Sequence, residues 1–116
     1  MRTKYLLCLM VLLMSAITIA GAQQGGYTGP GAAVITVAEA RELRDDSPVI
    51  LQGKIERFLG DEKYLFSDDT AVITIEIDNR IWGTLSVNQN DTVEITGEID
   101  KDFRELEIEV RSIKKI

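Results

Sequence analysis

The architecture of this chain is set by residues 49–55, which read Val-Ile-Leu-Gln-Gly-Lys-Ile directly after Pro48. Apolar and polar side chains alternate along this stretch, with Val49, Leu51 and Ile55 on one side, and a period of two predicts a β-strand. Gly53 falls on the apolar side. A glycine inside a strand marks a bulge or a sharp bend, so we expect a long strand that bends near Gly53.

Four further strands are predicted downstream of this one. They are centred on Tyr64–Phe66, on 72–77 with Ile73, Ile75 and Ile77 on one face, on 93–99, and on 106–110. The inward faces of the last two consist of Val93, Ile95, Gly97, Ile99, Leu106, Ile108 and Val110. Residues 78–87 break the alternation. Five strands with a bend in the first and an irregular segment after the third predict a mainly β protein, a five-stranded Greek-key OB-fold barrel. A two-sheet sandwich is the alternative, although five strands are few for one.

One short helix is predicted upstream of the strands. Thr36 and Glu39 have the spacing of a capping box, and good helix-forming residues follow, so we expect a helix from about Val37 to Asp45. Residues 23–35 begin with a Gly-rich run that contains Tyr27. This composition is typical of a flexible lead-in, which makes residues 36–116 the predicted folded domain.

The first 22 residues have the pattern of a cleavable signal peptide. Arg2 and Lys4 precede an apolar run of about 16 residues, and Ala20-Gly21-Ala22 offers small residues for cleavage. A retained membrane anchor is the alternative, but the run is shorter than the roughly 20 residues that span a bilayer. Cys8 lies too early for lipid attachment at the junction. We therefore expect export, a periplasmic location and no membrane span after cleavage.

The charge balance excludes several functional classes. The full chain has 13 Lys and Arg against 19 Asp and Glu, a net charge of −6. Loss of residues 1–22 removes Arg2 and Lys4, so 11 minus 19 gives −8 and leaves no Cys, Met or His. Binding to nucleic acid needs a surplus of cations, and nucleophilic catalysis needs an activated nucleophile with its base. The composition therefore argues against nucleic acid as a partner, against an enzyme and against any cofactor.

Several motifs in order along the chain resemble one known family. Residues 45–55 (Asp-Asp-Ser-Pro-Val-Ile-Leu-Gln-Gly-Lys-Ile), 59–68 (Leu-Gly-Asp-Glu-Lys-Tyr-Leu-Phe-Ser-Asp) and 93–101 (Val-Glu-Ile-Thr-Gly-Glu-Ile-Asp-Lys) match its pattern, as do 26–30 and Trp82-Gly83. The chain thus resembles the bacterial OB-fold (BOF) proteins, small exported proteins often described as stress-tolerance proteins. Ala71 departs from the glycine usual in that family. The resemblance implies a periplasmic OB-fold with a role in envelope stress tolerance, and it implies no catalytic residues.

Candidate ligand-binding residues lie where OB-folds usually bind, on the second and third strands and the last loop. The aromatic candidates are Tyr64, Phe66, Trp82 and Phe103, and the nearby cations are Lys54 and Arg57. Single-strand binders place stacking rings there beside a cationic groove, and this chain has the rings without the groove. Packing of the rings in the interior is the alternative interpretation.

Acidic side chains suggest two further hypotheses. Glu94, Glu98, Glu105, Glu107 and Glu109 fall on the outer face of the last two strands, where they would form either an acidic docking face or a solvated surface. Asp68, Asp69, Asp100 and Asp102 are weak candidates for a divalent metal, although aspartate turn chemistry also explains them.

Together these observations predict a monomeric periplasmic binding module that contributes to envelope stress tolerance. Its expected ligand is a cationic peptide, a small molecule or an envelope protein, with no nucleic acid. The alternatives from other classes are a divalent-metal-binding, metal-buffering protein and a hydrolase built on a carboxylate pair.

Overall fold

β-Strands make up most of the structure, a computed structural model that describes residues 33–102 and 105–116. The strands are β1 (Val34–Ile35), β2 (Pro48–Gly60), β3 (Lys63–Ser67), β4 (Val72–Glu76), β5 (Val93–Lys101) and β6 (Leu106–Lys115). Two short helices, α1 (Val37–Ala40) and α2 (Asn79–Trp82), lie between them.

The strands β2 to β6 close into one barrel. The sheet order is β1-β2-β3-β4-β6-β5, and β2 also pairs with β5. The β4–β6 contact is parallel and the other contacts within the barrel are antiparallel. This arrangement confirms the predicted five-stranded OB-fold barrel. The two-residue strand β1 pairs in parallel with β2, and it lies within residues 23–35, which the sequence predicts as a lead-in.

The long strand β2 changes partner at Gly53. Its first half, Pro48–Gly53, pairs with β5, whereas its second half, Lys54–Gly60, pairs with β3. A side chain at Gly53 would overlap the carbonyl oxygen of Ser67, so glycine is needed here for close approach of two backbones. The bulge or bend that the sequence predicts near Gly53 corresponds to this change of partner strand. The register shifts of β2 against β3 come later, between Ile55 and Arg57 and between Phe58 and Gly60.

The core of the barrel consists of the alternate strand side chains that point inward. Its largest fully buried members are Phe66, Leu51, Ile73, Ile75, Ile77, Ile95, Ile99, Ile108, Val37, Val49 and Val93. Val110 is also buried, and Leu106 packs against this cluster while half-buried. The predicted inward faces of the last three barrel strands are thereby confirmed.

The helices differ from the prediction in length and number. The capping box of Thr36 and Glu39 is present, but α1 ends at Ala40 rather than at about Asp45. Further along, residues 46–47 form backbone hydrogen bonds to β5. The Asp46 N–H donates to the Ile99 carbonyl (2.7 Å), and the Ile99 N–H donates to the Ser47 carbonyl (2.9 Å). The additional helix α2 lies in the irregular segment. In the part of the chain that the structure describes, no helix is long and apolar enough to cross a membrane.

Candidate functional site

Three aromatic side chains form a continuous cluster on the barrel surface. Phe58 and Tyr64 face each other across β2 and β3, with ring centroids 5.2 Å apart, and Trp82 meets Tyr64 edge-on at 5.6 Å. Phe58 is 62% exposed, whereas Tyr64 and Trp82 are half-buried. We call Phe58, Tyr64 and Trp82 the aromatic cluster. Its rings present an apolar surface to solvent in spite of their mutual contact.

Helix α2 holds Trp82 in this position. Asp78 caps the helix by accepting hydrogen bonds from the Arg80 N–H (2.9 Å) and from the Arg80 guanidinium (3.0 and 3.2 Å). These bonds hold the pKa of Asp78 below its ordinary value. The Glu62 carboxylate accepts a hydrogen bond from the Asn79 N–H (2.9 Å), which ties the β2–β3 turn to the same helix. Gly83, with φ of 54°, ends it.

The aromatic cluster forms one wall of a groove of about 500 Å³. The groove lies between the second half of β2 and residues 85–89, and we call it the aromatic groove. It is lined by Ile55, Glu56, Arg57, Phe58, Tyr64, Trp82, Leu85, Ser86, Val87, Asn88 and Gln89. Six of these lining residues are apolar or aromatic and five are polar or charged, so the groove offers both apolar surface and groups that can orient a ligand.

The structure brings together three of the six predicted ligand-binding residues. Tyr64, Trp82 and Arg57 line the aromatic groove. Lys54 lines another pocket, and Phe103 lies outside the described residues. Phe66 is fully buried in the core, so the interior packing considered for the rings is what the structure shows for this one.

Phe58 is the groove residue that the sequence reasoning missed. It follows the bulge in β2, after which the four residues from Glu56 to Leu59 are all exposed. Alternation cannot reveal this, because a bulge shifts the phase of the side chains. The available signal was the adjacent apolar pair Phe58-Leu59 next to charged residues.

The first predicted aspartate pair serves the local backbone. Asp68 accepts hydrogen bonds from the backbone N–H groups of Val37 (2.8 Å), Thr70 (2.8 Å) and Ala71 (3.2 Å), and from the Thr70 hydroxyl. Burial alone would raise the pKa of Asp68, but these hydrogen bonds outweigh it and lower the pKa. Asp69 lines a pocket with Asp68 and Lys54. Asp68 therefore joins α1 to the β3–β4 turn.

The second predicted aspartate pair lies in a different pocket, around Lys63. Besides Lys63, the lining residues are all acidic: Glu76, Asp100, Asp102, Glu105 and Glu107. The Lys63 ammonium lies 2.5 Å from the Glu107 carboxylate and 3.9 Å from that of Glu105. Its hydrogen bond to Glu107 raises the pKa of Lys63, while burial and the nearby charge of Glu107 raise the pKa of Glu76.

These placements bear on the metal hypothesis. The two aspartate pairs lie in separate pockets and do not form one site. Within residues 33–102 and 105–116, no three acidic, His or Cys side chains are grouped closely enough to hold a metal ion. At the second pair, the Lys63 ammonium already supplies a cation.

The predicted acidic face is largely compensated by basic side chains. Glu98 and Glu109 are directly opposite on β5 and β6, and Arg111 contacts both, at 3.1 and 3.4 Å. Glu94 accepts hydrogen bonds from Gln52 and from Lys114, which lower its pKa. Glu107 is only 8% exposed, and Lys63 of β3 forms an ion pair with it. Of the five residues, Glu105 and Glu109 remain exposed, and basic side chains lie beside both of them.

Comparison with known proteins identifies relatives over nearly the whole chain. The family model of the bacterial OB fold (BOF) proteins matches residues 14–115. Protein YgiW of Escherichia coli is 36% identical, covering 97% of each chain. The calcium-regulated OB-fold protein CarO of Pseudomonas aeruginosa is 39% identical over 90% of this chain and 88% of its own.

Solved structures show the same fold. The structure of YgiW from E. coli superposes with a TM-score of 0.72 at 43% identity, covering 79% of this chain and 99% of that one. The Stn1–Ten1 complex of S. pombe has a TM-score of 0.62 at 13% identity, covering 78% and 79%. At that identity the likeness concerns the fold alone.

Proposed function

This chain belongs to the bacterial OB fold (BOF) family, and from that premise we propose that it is a periplasmic binding module that contributes to envelope stress tolerance. In this proposal the ligand binds in the aromatic groove, and the chain acts by binding rather than by catalysis. Regulation by calcium, for which the relative CarO is named, supports a role in the response to changing conditions.

The observation that carries the proposal is the exposure of the aromatic cluster. Phe58 leaves 62% of its surface in water, although complete burial of such a side chain is worth roughly 2 kcal/mol. Its neighbours Tyr64 and Trp82 hold it over a groove rather than over a flat surface. A partner that covers these rings would bury their exposed apolar surface, and the free energy of that burial would favour binding.

Charge supports a preference for cationic ligands at long range. After loss of residues 1–22 the chain carries 11 Lys and Arg against 19 Asp and Glu, a net charge of −8, which attracts cations toward the whole surface and raises their rate of encounter. The carboxylates on β5 and β6 are compensated by Arg111, Lys114 and Lys63. We therefore assign the binding contacts to the groove and only the steering to the net charge.

Fluorescence of Trp82, the single tryptophan of the chain, tests the proposal directly. The probe is N-phenyl-1-naphthylamine, a neutral apolar dye that accepts energy from tryptophan. We expect saturable quenching of Trp82 emission, and Phe58→Ala should weaken binding at least fivefold because it removes the most exposed ring. Val72→Ala is the matched control, since Val72 is 49% exposed but does not line the groove.

Two outcomes would contradict the proposal. One is the absence of any quenching by the dye. The other is equal affinity of the parent and Phe58→Ala proteins, provided that both show the same melting temperature.

The periplasmic part of the proposal rests on residues 1–22, which lie outside the described structure. Cell fractionation with antibody detection tests it. We expect the shortened chain in the periplasmic fraction, and recovery of the full-length chain in the cytoplasm would overturn this part.

A further inference from the structure

Among the described residues, no strand pairs with one backbone edge of the second half of β2. In the first half, β5 occupies this edge from Pro48 to Gly53, and the pairing stops where Val93 lies opposite Gly53. From Lys54 to Gly60 the opposite edge is paired with β3. No strand of the described chain continues along the edge that β5 leaves. Backbone N–H and C=O groups on such an edge can still form a ladder.

The aromatic groove runs along this free edge. In the described part of the chain, its far wall, residues 85–89, makes no backbone hydrogen bond to residues 55–59. That wall is fixed by its own contacts: the Leu85 N–H donates to the Trp82 carbonyl (2.9 Å), and Asn88 and Asp91 form a closed turn. The groove is therefore already built in the chain alone.

Building on the proposed function, we propose that the ligand of the aromatic groove is an extended peptide segment that adds to the free edge of β2 as an extra strand. The segment lies along the same edge of β2 as β5, beyond the point where the pairing with β5 stops at Val93. There it pairs with the backbone of the second half of β2. Pairing of this kind supplies affinity through main-chain hydrogen bonds and specificity through alternate side chains.

The groove sets the chemistry of the segment. The free edge from Ile55 to Gly60 has room for about six residues at roughly 3.3 Å each. Alternate side chains of an added strand face the aromatic cluster, Leu85 and Val87, and these should be apolar. The intervening side chains face water near an acidic protein whose net charge without residues 1–22 is −8, from 11 Lys and Arg against 19 Asp and Glu, which favours lysine or arginine at those positions by charge complementarity.

The edge also carries features that limit pairing to a suitable partner. Lys54, Glu56 and Arg57 are charged, and the register shifts on either side of Phe58 interrupt a flat ladder. Charges and bulges are the usual means by which proteins prevent unlimited edge-to-edge association. With Phe58 exposed between them, the edge can pair with a short segment better than with another sheet.

The experiment uses blocked octapeptides that alternate valine and lysine, titrated against the full mature chain with Trp82 emission as the readout. Two isomeric peptides carry N-methyl groups on two residues each. In one isomer the methylated amides belong to the set that faces β2, and in the other they belong to the alternate set. Both isomers have the same composition and side chains, so each controls for the conformational effect of methylation in the other.

We expect saturable binding of the parent peptide, at least tenfold weaker binding of one methylated isomer and a loss of threefold or less for the other. The contrast arises because only one set of amides donates to the edge, and two lost hydrogen bonds amount to about tenfold or more. Phe58→Ala should weaken the parent peptide at least fivefold, whereas Val72→Ala should leave its affinity unchanged.

Four results overturn the inference. Equal affinity of both methylated isomers and the parent means that the groove binds side chains without backbone pairing. Binding of the apolar dye without binding of any peptide refutes the peptide and leaves the proposed function standing, whereas failure of both refutes both. A dimer in sedimentation that Phe58→Ala abolishes assigns the edge to a second copy of the chain and excludes the peptide.

Discussion

The two halves of β2 belong to one continuous strand but have opposite environments. In the first half, Pro48–Gly53, burial alternates, Val49 and Leu51 are inside the barrel, and β5 pairs along the whole length. In the second half, Lys54–Gly60, Ile55 is the last buried residue, and the four that follow are exposed and paired on one edge only.

The difference separates folding from binding within a single element. In the first half, the apolar side chains pack in the core and the backbone groups pair with β5, so both contribute to closing the barrel. The second half keeps Phe58, Leu59 and one backbone edge available. Substitutions in the two halves should therefore have different consequences, and four experiments examine this division.

The largest contrast is expected between two leucines of β2. Leu51 is completely buried and Leu59 is 44% exposed. Leu51→Ala leaves a cavity in the core and should lower the free energy of unfolding by about 3 kcal/mol, whereas Leu59→Ala should cost less than about 1 kcal/mol. Urea denaturation of both variants measures this. Similar losses would show that the second half contributes to the core as much as the first.

The junction between the halves should respond next most strongly. Gly53→Ala places a methyl group against the carbonyl oxygen of Ser67 and the ring of Phe66, and the backbone must shift, at a cost of about 2 kcal/mol. Lys54→Ala, one residue further on and exposed, is the control and should be neutral to within about 0.5 kcal/mol. If Gly53→Ala melts at the parent temperature, the close approach of β2 and β3 at this point is not needed.

Asp68 connects two segments that lie next to different halves of β2. One is α1, which follows β1, a partner of the first half. The other is the β3–β4 turn, which follows β3, the partner of the second half. The pKa of Asp68 is lowered in the folded state, so its stabilising contribution is present above the unfolded pKa of about 3.9 and is lost as the pH falls through the lower folded value. Asp68→Asn should cost about 1 kcal/mol at pH 7. The difference from the parent protein should narrow below about pH 4.

Melting curves of the parent and Asp68→Asn proteins between pH 7 and pH 2 measure this dependence. Asp69→Asn, on an exposed neighbour, is the matched control. A difference that stays constant over the whole range would mean that the charge of Asp68 is not responsible.

The smallest effect is expected at the cap of α1. The Thr36 hydroxyl accepts a hydrogen bond from the Glu39 N–H (3.1 Å), and the Glu39 carboxylate accepts one from the Thr36 N–H (3.1 Å). Thr36→Ala should cost about 0.5–1 kcal/mol without any change in dye or peptide binding, because α1 lies beside the first half. A loss of binding in this variant would contradict the division between the halves.

The sequence predicts the barrel well because the first half of β2 and the strands β4, β5 and β6 follow one rule. Val93, Ile95 and Ile99 point inward since alternate side chains of a half-buried strand must. The same rule fails after Ile55, where a bulge changes the phase, and it cannot choose between Phe66 and Phe58 as the exposed ring. Whether a side chain beside a bulge meets the core depends on the partner strand.

Long-range contacts account for the other differences. The buried carboxylate of Glu107 is paired with Lys63, which lies 44 residues away in sequence. Beyond the early end of α1, residues 46–47 form hydrogen bonds with Ile99, which is more than 50 residues away in sequence. Short-range sequence patterns cannot identify either of these distant partners.

The pairing of the first half of β2 with β5 also has a kinetic consequence. Gly53 and Val93 are the nearest paired residues of these two strands, so some 40 residues must be enclosed before the first ladder bond between them forms. The parallel contact of β4 with β6 likewise encloses a long loop, since its paired residues are 33 apart, as in Thr74 with Glu107. Such topologies fold in milliseconds to seconds rather than microseconds. A growing chain therefore stays open until β5 and β6 have been synthesised, and barrel closure is among the last events in its maturation.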